Sequence, residues 1–301
     1  MYSIAFQYLG ILTFLYFVIK LLFKLVEGGR LYIFSTYPDF SKYGKWSVVT
    51  GSSTGLGKAT ALQLASRGQN IVLMSNEEEE LRKVASEIES KHNVQTKCLT
   101  IDFSHDEEIY DEIADFLQGL DIGTLVNNVG IAQGLYRFLD IPNLSTFIRN
   151  IIRINAVSVV KMTQIVLPGM VERKRGLILN LSSMAAVKPV SHIIMYCATK
   201  TFVNYFSQGL SYEYESKGIK VHSCMPSMIR SNLTKFLPRH KEYVSTEAFI
   251  KSWLATVDKT RWAHGYIPHA IQGWITKMIP ADLYQILYEK RVNKALAKKT
   301  E

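Results

Sequence analysis

The sequence predicts a single α/β domain built on a doubly wound parallel sheet, preceded by an N-terminal transmembrane helix. Between Trp46 and Met225, short β-rich runs alternate with longer amphipathic stretches, as in a parallel sheet with helices on both faces. No low-complexity linker and no internal repeat interrupts this region, so one domain is the simpler interpretation of the 301 residues. A glycine turn follows the first β-rich run, and a long apolar segment precedes it.

The apolar segment covers residues 2–23 and contains few polar side chains. At about 1.5 Å per residue, a helix of this length crosses a bilayer core of about 30 Å. Lys20 and Lys24 lie at its end, and the positive-inside rule then leaves the rest of the chain in the cytosol. We expect a transmembrane anchor over residues 1–26 and a juxtamembrane linker over residues 27–45. A hydrophobic helix that packs on the domain is the alternative.

The charge of the chain excludes some partners and favours others. The formal net charge is +9, and the basic excess lies after Arg230 and beside the apolar segment. This distribution suits a membrane surface or an acidic substrate, and no nucleic-acid-binding signature accompanies it. The three cysteines, Cys98, Cys197 and Cys224, lack metal-ligand spacing, so we expect reduced thiols and no metal site.

A turn with three glycines connects the first predicted strand, residues 46–50, to a predicted helix over residues 58–66. Such a turn bends tightly, lets the backbone approach a pyrophosphate and points the amino end of the helix at it. Strand, turn and helix together predict a Rossmann-like dinucleotide site, and a plain β–α connection is the alternative. The candidate cofactor-binding residues of this turn are Gly51, Ser53, Gly55, Leu56 and Gly57.

The end of the second predicted strand, residues 71–75, bears on which dinucleotide is bound. An acidic residue there accepts hydrogen bonds from the ribose hydroxyls and repels a 2′-phosphate. This chain has Ser75 and Asn76 instead, which favours NADP(H) over NAD(H). Four glutamates follow at once, Glu77–Glu80. We expect them to stabilise the amino end of the next helix, although they leave the phosphate preference open.

Tyr196 and Lys200 are four residues apart and stand on one face of a predicted helix. Because an ammonium favours the phenolate form, we expect Lys200 to lower the pKa of Tyr196 towards neutral pH, where a proton donor works best. Ser183 follows a predicted strand over residues 177–181, so a strand end and a helix face meet at one carbonyl in this interpretation. A solvent-facing Tyr and Lys pair is the alternative.

Ser, Tyr and Lys at this spacing resemble the short-chain dehydrogenase/reductase family. The T-G-x-x-x-G-x-G turn from Thr50 and the N-N-x-G turn from Asn127 resemble it too. The resemblance implies that Tyr196 donates a proton, that Ser183 orients the substrate carbonyl and that Lys200 holds the nicotinamide ribose.

The resemblance also assigns residues to the cofactor and to the proton path. It implies that Asp102 contacts the adenine, that Asn128 lines the adenosine side and that Asn155 completes the proton path to solvent. The backbone of Ile229 and the hydroxyl of Ser231 would contact the nicotinamide carboxamide.

Longer strings such as V-L-P-G-M-V-E-R resemble lipid-metabolising members of the family, from Trp46 to Ala270. The resemblance implies a dinucleotide-binding catalytic domain over residues 46–231 and a substrate-covering C-terminal region over residues 232–301. A core or membrane-facing role for the aromatic side chains of that region is equally consistent with the sequence. The chain departs from the family pattern at Ser227, where a glycine is usual.

These observations predict a membrane-anchored, NADPH-dependent ketone reductase that acts on lipids. An acyl-CoA has an anionic head and an apolar tail, so 3-oxoacyl-CoA fits the basic C-terminal region better than a steroid does. Reduction of 17-ketosteroids is the first alternative, and a catalytically silent lipid-binding scaffold is the second. A homodimer through the helices around Asn155 and Tyr196 is common in the family.

The chain stops at Lys298-Lys299-Thr300-Glu301, which resembles the di-lysine retrieval signal of endoplasmic-reticulum membrane proteins. Such a signal is read only when the C-terminus is cytosolic, in agreement with the orientation of the anchor. We therefore expect the endoplasmic reticulum membrane as the location, with the catalytic domain facing the cytosol.

Overall fold

The computed structural model describes residues 2–230, 232–234 and 243–300. It begins with a helix of 31 residues, α1 (Tyr2–Tyr32). Two helical stretches among the described residues are long and apolar enough to cross a membrane, Phe6–Tyr32 and Leu144–Glu172. The apolar window of the second is 44% buried and belongs to the core, whereas none of the corresponding window of the first is buried. α1 is therefore the candidate membrane span.

The domain that follows is organised around a sheet of parallel strands. The strands are β1 (Trp46–Thr50), β2 (Asn70–Ser75), β3 (Thr96–Thr100), β4 (Ile122–Asn127), β5 (Gly176–Leu181), β6 (Ile219–Cys224) and β7 (Trp262–Ala263). They form one sheet in the order β3-β2-β1-β4-β5-β6-β7, and every neighbouring pair is parallel. The winding reverses between β1 and β4, which opens a crevice at the carboxyl ends of these strands. The predicted doubly wound parallel sheet is confirmed.

Helices cover both faces of this sheet. They are α2 (Gly55–Ala65), α3 (Glu78–Lys91), α4 (Glu108–Leu117), α5 (Leu144–Ile152), α6 (Ser158–Glu172), α7 (Ile194–Tyr214), α8 (Thr246–Leu254), α9 (Ile267–Met278) and α10 (Ala281–Thr300). A π-helical segment, Arg153–Val157, joins α5 to α6. Single turns of π-helix occur often at functional sites.

The sheet is buried on both faces because neighbouring residues of its central strands belong to different apolar clusters. In β1, Val49 belongs to the cluster that contains Leu64 and Phe249. Val48 belongs to the cluster on the other face, which contains Met162. Full burial of a Val or Leu side chain stabilises the fold by about 1.5–3 kcal/mol. The β-rich runs of the sequence therefore fold as central strands, with apolar side chains on both faces.

The region after residue 231 contains more regular structure than its sequence pattern predicts. Its described residues form the α-helices α8, α9 and α10 and the edge strand β7. The amide of Ser223 donates to the Arg261 carbonyl at 2.9 Å, and the amide of Met225 donates to the Ala263 carbonyl at 2.8 Å. A strand of two residues is too short to show any alternation, so only its pairing with β6 identifies it.

Candidate active site

The crevice at the carboxyl ends of the strands forms a cavity of about 1940 Å³. This volume exceeds the roughly 300–1,000 Å³ of a pocket for one drug-sized ligand, so there is room for a dinucleotide together with a second molecule. Ser183, Tyr196 and Lys200 line the same cavity as the glycine turn. The structure thus brings the predicted catalytic residues and the predicted cofactor turn to one site.

The glycine turn lies directly beside the N-N-x-G turn that follows β4. Gly51 has a φ of +63°, and a Cβ built on Gly57 would lie 2.0 Å from the carbonyl oxygen of Gly51. The first turn of α2 therefore packs so closely on the glycine turn that no side chain fits at Gly57, and Gly51, Ser53, Gly55 and Leu56 line the cavity at the amino end of α2. This is the arrangement that a pyrophosphate requires, and the turn fits the phosphates of a dinucleotide.

Asn128 holds this turn in place. Its side-chain amide donates to the carbonyl oxygens of Thr50 and Gly51, both at 2.9 Å. Its backbone amide donates to the hydroxyl of Thr50 at 3.0 Å. Asn128 also lines the cavity, as expected from the sequence, but its amide group is occupied by the neighbouring backbone. Its hydrogen bonds therefore fix the backbone of the glycine turn.

A carboxylate at the amino end of α3, that of Glu77, lines the cavity beside the glycine turn. Glu77 accepts a hydrogen bond from the Ser53 hydroxyl at 2.6 Å, and Ser75 donates to the Ser53 hydroxyl at 2.9 Å. The next three glutamates, Glu78–Glu80, do lie in the first turn of α3. Glu77 is the N-cap residue of this helix, so all four acids lie at its amino end, as expected. The sequence left open whether these acids affect the choice of dinucleotide, and the hydrogen bond with Ser53 shows that Glu77 is the one that contacts the glycine turn.

Asp102 and Asn76 face each other at the same side of the cavity. Burial raises the pKa of the Asp102 carboxyl, but hydrogen bonds from Ser104 and Asn76 outweigh burial and hold the pKa below its usual value. Asp102 is therefore ionised at neutral pH. Asp102 and Glu77 thus both contribute carboxylates to the lining of the cavity, whose described basic residues are Lys188, Lys200, Arg291 and Lys294.

The hydroxyl groups of Ser183 and Tyr196 lie close enough for Ser183 to lower the pKa of Tyr196. Ser183 follows β5, and its hydroxyl also accepts from the amide of Ala185 at 3.1 Å. Tyr196 lies in the first turn of α7. The amide of Met184 donates to the Pro226 carbonyl at 2.9 Å, which ties the segment after β5 to the segment after β6. Two strand ends and a helix thus position the two hydroxyl groups.

The expectation that Lys200 lowers the pKa of Tyr196 is wrong for this structure. Burial raises the pKa of Tyr196 to about 12, and the nearby Ser183 hydroxyl offsets this only in part. The ammonium of Lys200 lies 5.8 Å from the centre of the Tyr196 ring and donates to the Leu181 carbonyl at 2.8 Å. Lys200 itself is buried, and burial lowers its pKa to about 8. Desolvation is the largest cause of both shifts, and neither residue contributes to the pKa of the other.

Asn155 lies in the π-helical segment and is fully buried. Its side chain accepts from the amide of Ile131 at 2.8 Å and donates to the Ile131 carbonyl at 2.9 Å. A Cβ built on Gly130 would lie 3.3 Å from the Asn155 oxygen and 3.4 Å from the Lys200 nitrogen. Asn155 and Lys200 therefore flank the same glycine, and Asn155 also fixes the loop after β4.

Ile229 lines the cavity and is buried at 3% exposure. It forms an isolated parallel bridge with Val244, which holds the segment after β6 in place. Ser231, the other predicted carboxamide contact, lies outside the described residues. Among the residues that the structure does describe, no group of three or more His, Cys, Asp or Glu could hold a metal ion.

Comparison with known proteins identifies the family. The short chain dehydrogenase family model matches residues 45–242. The very-long-chain 3-oxoacyl-CoA reductase-B of Danio rerio is 42% identical over 283 residues, which are 93% of this chain and 91% of the relative. The very-long-chain 3-oxoacyl-CoA reductase of Homo sapiens is 46% identical over 242 residues, 80% of this chain and 77% of the relative.

Solved structures share the fold. The short-chain dehydrogenase from Sphingobium yanoikuyae in complex with NADPH has a TM-score of 0.62 at 26% identity, covering 68% of this chain and 81% of that one. A 7beta-hydroxysteroid dehydrogenase has a TM-score of 0.75 at 23% identity, covering 82% and 97%. The chain thus belongs to the short-chain dehydrogenase family and is an oxidoreductase with that family's NAD(P)-binding fold.

Proposed function

We propose that this chain is a membrane-anchored ketone reductase that reduces 3-oxoacyl-CoA to 3-hydroxyacyl-CoA, a step of fatty acid elongation. The observation that carries the proposal is the convergence of Ser183, Tyr196 and Lys200 on one large cavity. Relatives that match 80% or more of this chain at 42–46% identity are named very-long-chain 3-oxoacyl-CoA reductases, which supports the substrate class.

The roles of the site residues follow from their hydrogen bonds. A bound dinucleotide would supply the hydride for the carbonyl carbon of the substrate. Ser183 hydrogen-bonds the carbonyl oxygen and stabilises the negative charge that develops there. Tyr196 delivers a proton to the same oxygen. Because its pKa is raised to about 12, the phenol stays protonated at neutral pH and releases its proton only to a strong base such as the nascent alkoxide.

Lys200 and Asn155 serve the proton supply in this proposal. A lysine whose pKa is lowered to about 8 exchanges protons readily near neutral pH. Asn155 keeps the backbone around Gly130 at the distance that leaves the Lys200 ammonium beside Tyr196. Lys200 also binds the nicotinamide ribose in this assignment, so both residues act on the cofactor side of the site.

The residues that would hold the dinucleotide are those of the glycine turn together with three others. Asp102 and Asn128 would lie near the adenosine part of the dinucleotide, and Ile229 would lie near its nicotinamide. NADP(H) is the proposed dinucleotide, on the grounds that Ser75 and Asn76 are not acidic and that solved relatives bind NADPH. Glu77 opposes this choice because a carboxylate repels a 2′-phosphate. We infer that the affinity for NADP(H) exceeds the affinity for NAD(H) by only a small factor, and that Glu77 determines this factor.

The location and assembly of the chain are part of the same proposal. α1 would anchor residues 1–26 in the endoplasmic reticulum membrane, and residues 27–45 would link it to the catalytic domain over residues 46–231, which faces the cytosol. The region 232–301 would cover the substrate. A homodimer through α7 is supported by two tyrosines on its outer face, Tyr205 and Tyr212, which are 71% and 67% exposed. Large exposed aromatic residues are typical of protein interfaces.

A comparison of substrates on the purified full-length protein tests this function. We expect oxidation of NADPH with a long-chain 3-oxoacyl-CoA and little or none with a 17-ketosteroid. Faster turnover of the 17-ketosteroid would replace the substrate assignment. Failure to bind either NADPH or NADH in a fluorescence titration would contradict the enzyme proposal and leave the lipid-binding scaffold.

A further inference from the structure

The outward face of α9 is apolar, and no described residue covers it. Its exposed large apolar residues are Ile267, Ile271, Trp274, Ile275 and Met278, which are 39–66% exposed. Gln272 and Lys277 are the exposed polar residues of this helix. Its buried residues are His269, Gly273 and Thr276. A surface helix of a water-soluble domain shows the reverse arrangement, with its apolar stripe turned to the core. In α9 the large apolar side chains are therefore exposed, whereas the side chains that face the domain are polar or small.

The apolar surface continues from α9 onto α10. Leu283, Ile286 and Leu287 are 48%, 52% and 44% exposed. We call these three residues and the five exposed apolar residues of α9 the α9–α10 face, since Ile275 of α9 and Leu287 of α10 line one cavity. Large contiguous apolar patches mark sites that bind another protein or a membrane.

The α9–α10 face lies beside the end of the candidate membrane span. The amide of His264 donates to the hydroxyl of Tyr32, the last residue of α1, at 3.1 Å. A Cβ built on Gly273 of α9 would lie 2.2 Å from the His264 ring, so α9 packs directly on this residue. Burial and the charge of Lys24 both lower the pKa of Lys277, which places Lys277 near the last turns of α1.

The cavity opens on the same face. Ile275 of α9 and Leu287 of α10 line the cavity that contains Tyr196, and both side chains are also exposed. Lys188 donates to the Ile279 carbonyl at 2.6 Å, which fixes the turn between the two helices against the segment after β5. A ligand in the cavity therefore has an apolar exit between α9 and α10.

We propose that the α9–α10 face rests in the surface of the bilayer that α1 crosses, and that the site takes its lipid ketone from this surface. The inference rests on the proposed anchoring and on the proposed reduction of a lipid ketone. A lipid surface is the occupant that fits, because the face continues from a membrane span and carries Lys24 and Lys277 at its edge, where anionic headgroups lie.

Tryptophan fluorescence of the full-length protein in lipid nanodiscs tests the position of the face. Trp274 is one of four tryptophans and is 45% exposed, whereas Trp46 is 8% exposed and Trp253 is fully buried. Discs made with acyl-brominated phosphatidylcholine quench tryptophans that enter the bilayer. We expect this quenching to be several-fold weaker in Trp274→Phe than in the unaltered protein.

Equal quenching of both proteins would overturn the inference. The experiment requires no turnover, so this result would leave the reductase proposal standing. If Trp274 is not quenched and Ile271→Glu instead converts a dimer into a monomer, the face is a contact between copies of the chain, and the membrane proposal is wrong.

A second experiment tests the route of the substrate. Ile271→Glu places a charge on the α9–α10 face, away from the catalytic residues. In nanodiscs, we expect turnover of a long-chain 3-oxoacyl-CoA to fall several-fold, while turnover of a short-chain, water-soluble 3-oxoacyl-CoA stays the same. Leu139→Glu is the matched control, since Leu139 is 82% exposed and lies outside the face. An equal loss with both substrates would contradict uptake from the membrane. If the unaltered protein reduces neither substrate, the reductase proposal fails and the quenching result alone decides the position of the face.

Discussion

The carboxylate of Glu77 accepts a hydrogen bond of 2.6 Å from the hydroxyl of Ser53, a residue of the glycine turn. This bond holds a negative charge beside the glycine turn. We expect Glu77→Gln to strengthen the binding of NADP(H) relative to NAD(H) by about tenfold, because about 1.4 kcal/mol of repulsion from a 2′-phosphate is removed. Titration of the protein with both dinucleotides, followed by fluorescence, measures the ratio.

Glu79→Gln is the control for this experiment. Glu79 lies in the first turn of the same helix, and the described structure gives its carboxylate no hydrogen bond. The ratio of the two affinities should stay unchanged in this variant. An equal change in both variants would mean that net charge, and not the position of Glu77, sets the preference.

Tyr196→Phe removes the proton donor but keeps the ring. We expect turnover to fall by about 10²–10⁴-fold, the usual contribution of a general acid, while the affinity for the dinucleotide stays nearly the same. Steady-state turnover and a binding titration on the same preparation separate the two effects. Tyr205→Phe, on an exposed position of α7, should behave like the unaltered protein. Full activity of Tyr196→Phe would refute the catalytic assignment.

Buried histidine makes the fold sensitive to acid. Burial lowers the pKa of His222 to about 4, although its contact with the Thr260 carbonyl and the charge of Asp258 oppose this. The unfolded chain binds the proton near pH 6.5 and the folded chain does not, so the free energy of unfolding decreases as the pH falls from 6.5 to about 4.

The expected loss from His222 alone is on the order of 3 kcal/mol across this interval. Urea unfolding of the full-length protein in detergent, at pH values from 7 to 4, measures it. In His222→Gln the slope of stability against pH should be smaller. An identical slope in both proteins would show that His222 is not the group responsible.

The space around two glycines, one in the glycine turn and one in α7, predicts opposite effects on stability when each is replaced by Ala. Gly57→Ala places a Cβ 2.0 Å from a backbone oxygen, so we expect a loss of about 1–3 kcal/mol of stability and of dinucleotide binding. Gly209→Ala lies in α7, where a Cβ meets nothing within 4 Å, and should stabilise the protein by about 0.5–1 kcal/mol. Thermal unfolding with and without dinucleotide measures both. Equal effects of the two substitutions would contradict the steric argument.

The order of strands and helices and the grouping of Ser183 with Tyr196 were predictable because they depend on local patterns. Parallel strands place their carboxyl ends at one edge, so residues that follow different strands meet without further information. The four-residue spacing of Tyr196 and Lys200 likewise fixes one helix face.

The electrostatics of the site could not be predicted in this way. The pKa of Tyr196 depends on how deeply the ring is buried, and the direction of the Lys200 ammonium depends on its hydrogen bond to the Leu181 carbonyl. The orientation of Glu77 depends on a hydroxyl 24 residues earlier in the chain. Each of these properties is set by neighbours that are distant in sequence, which a periodic pattern does not record.

The hydrogen bond between the His264 amide and the Tyr32 hydroxyl has a consequence for how often substrate encounters are productive. A catalytic domain on a flexible linker rotates freely, and most substrate molecules then collide with a surface that does not lead to the active site. This contact joins the tether to the edge of the sheet, next to β7, and restricts that tumbling. The rotational entropy is lost once, when the chain folds, instead of being lost again at every collision.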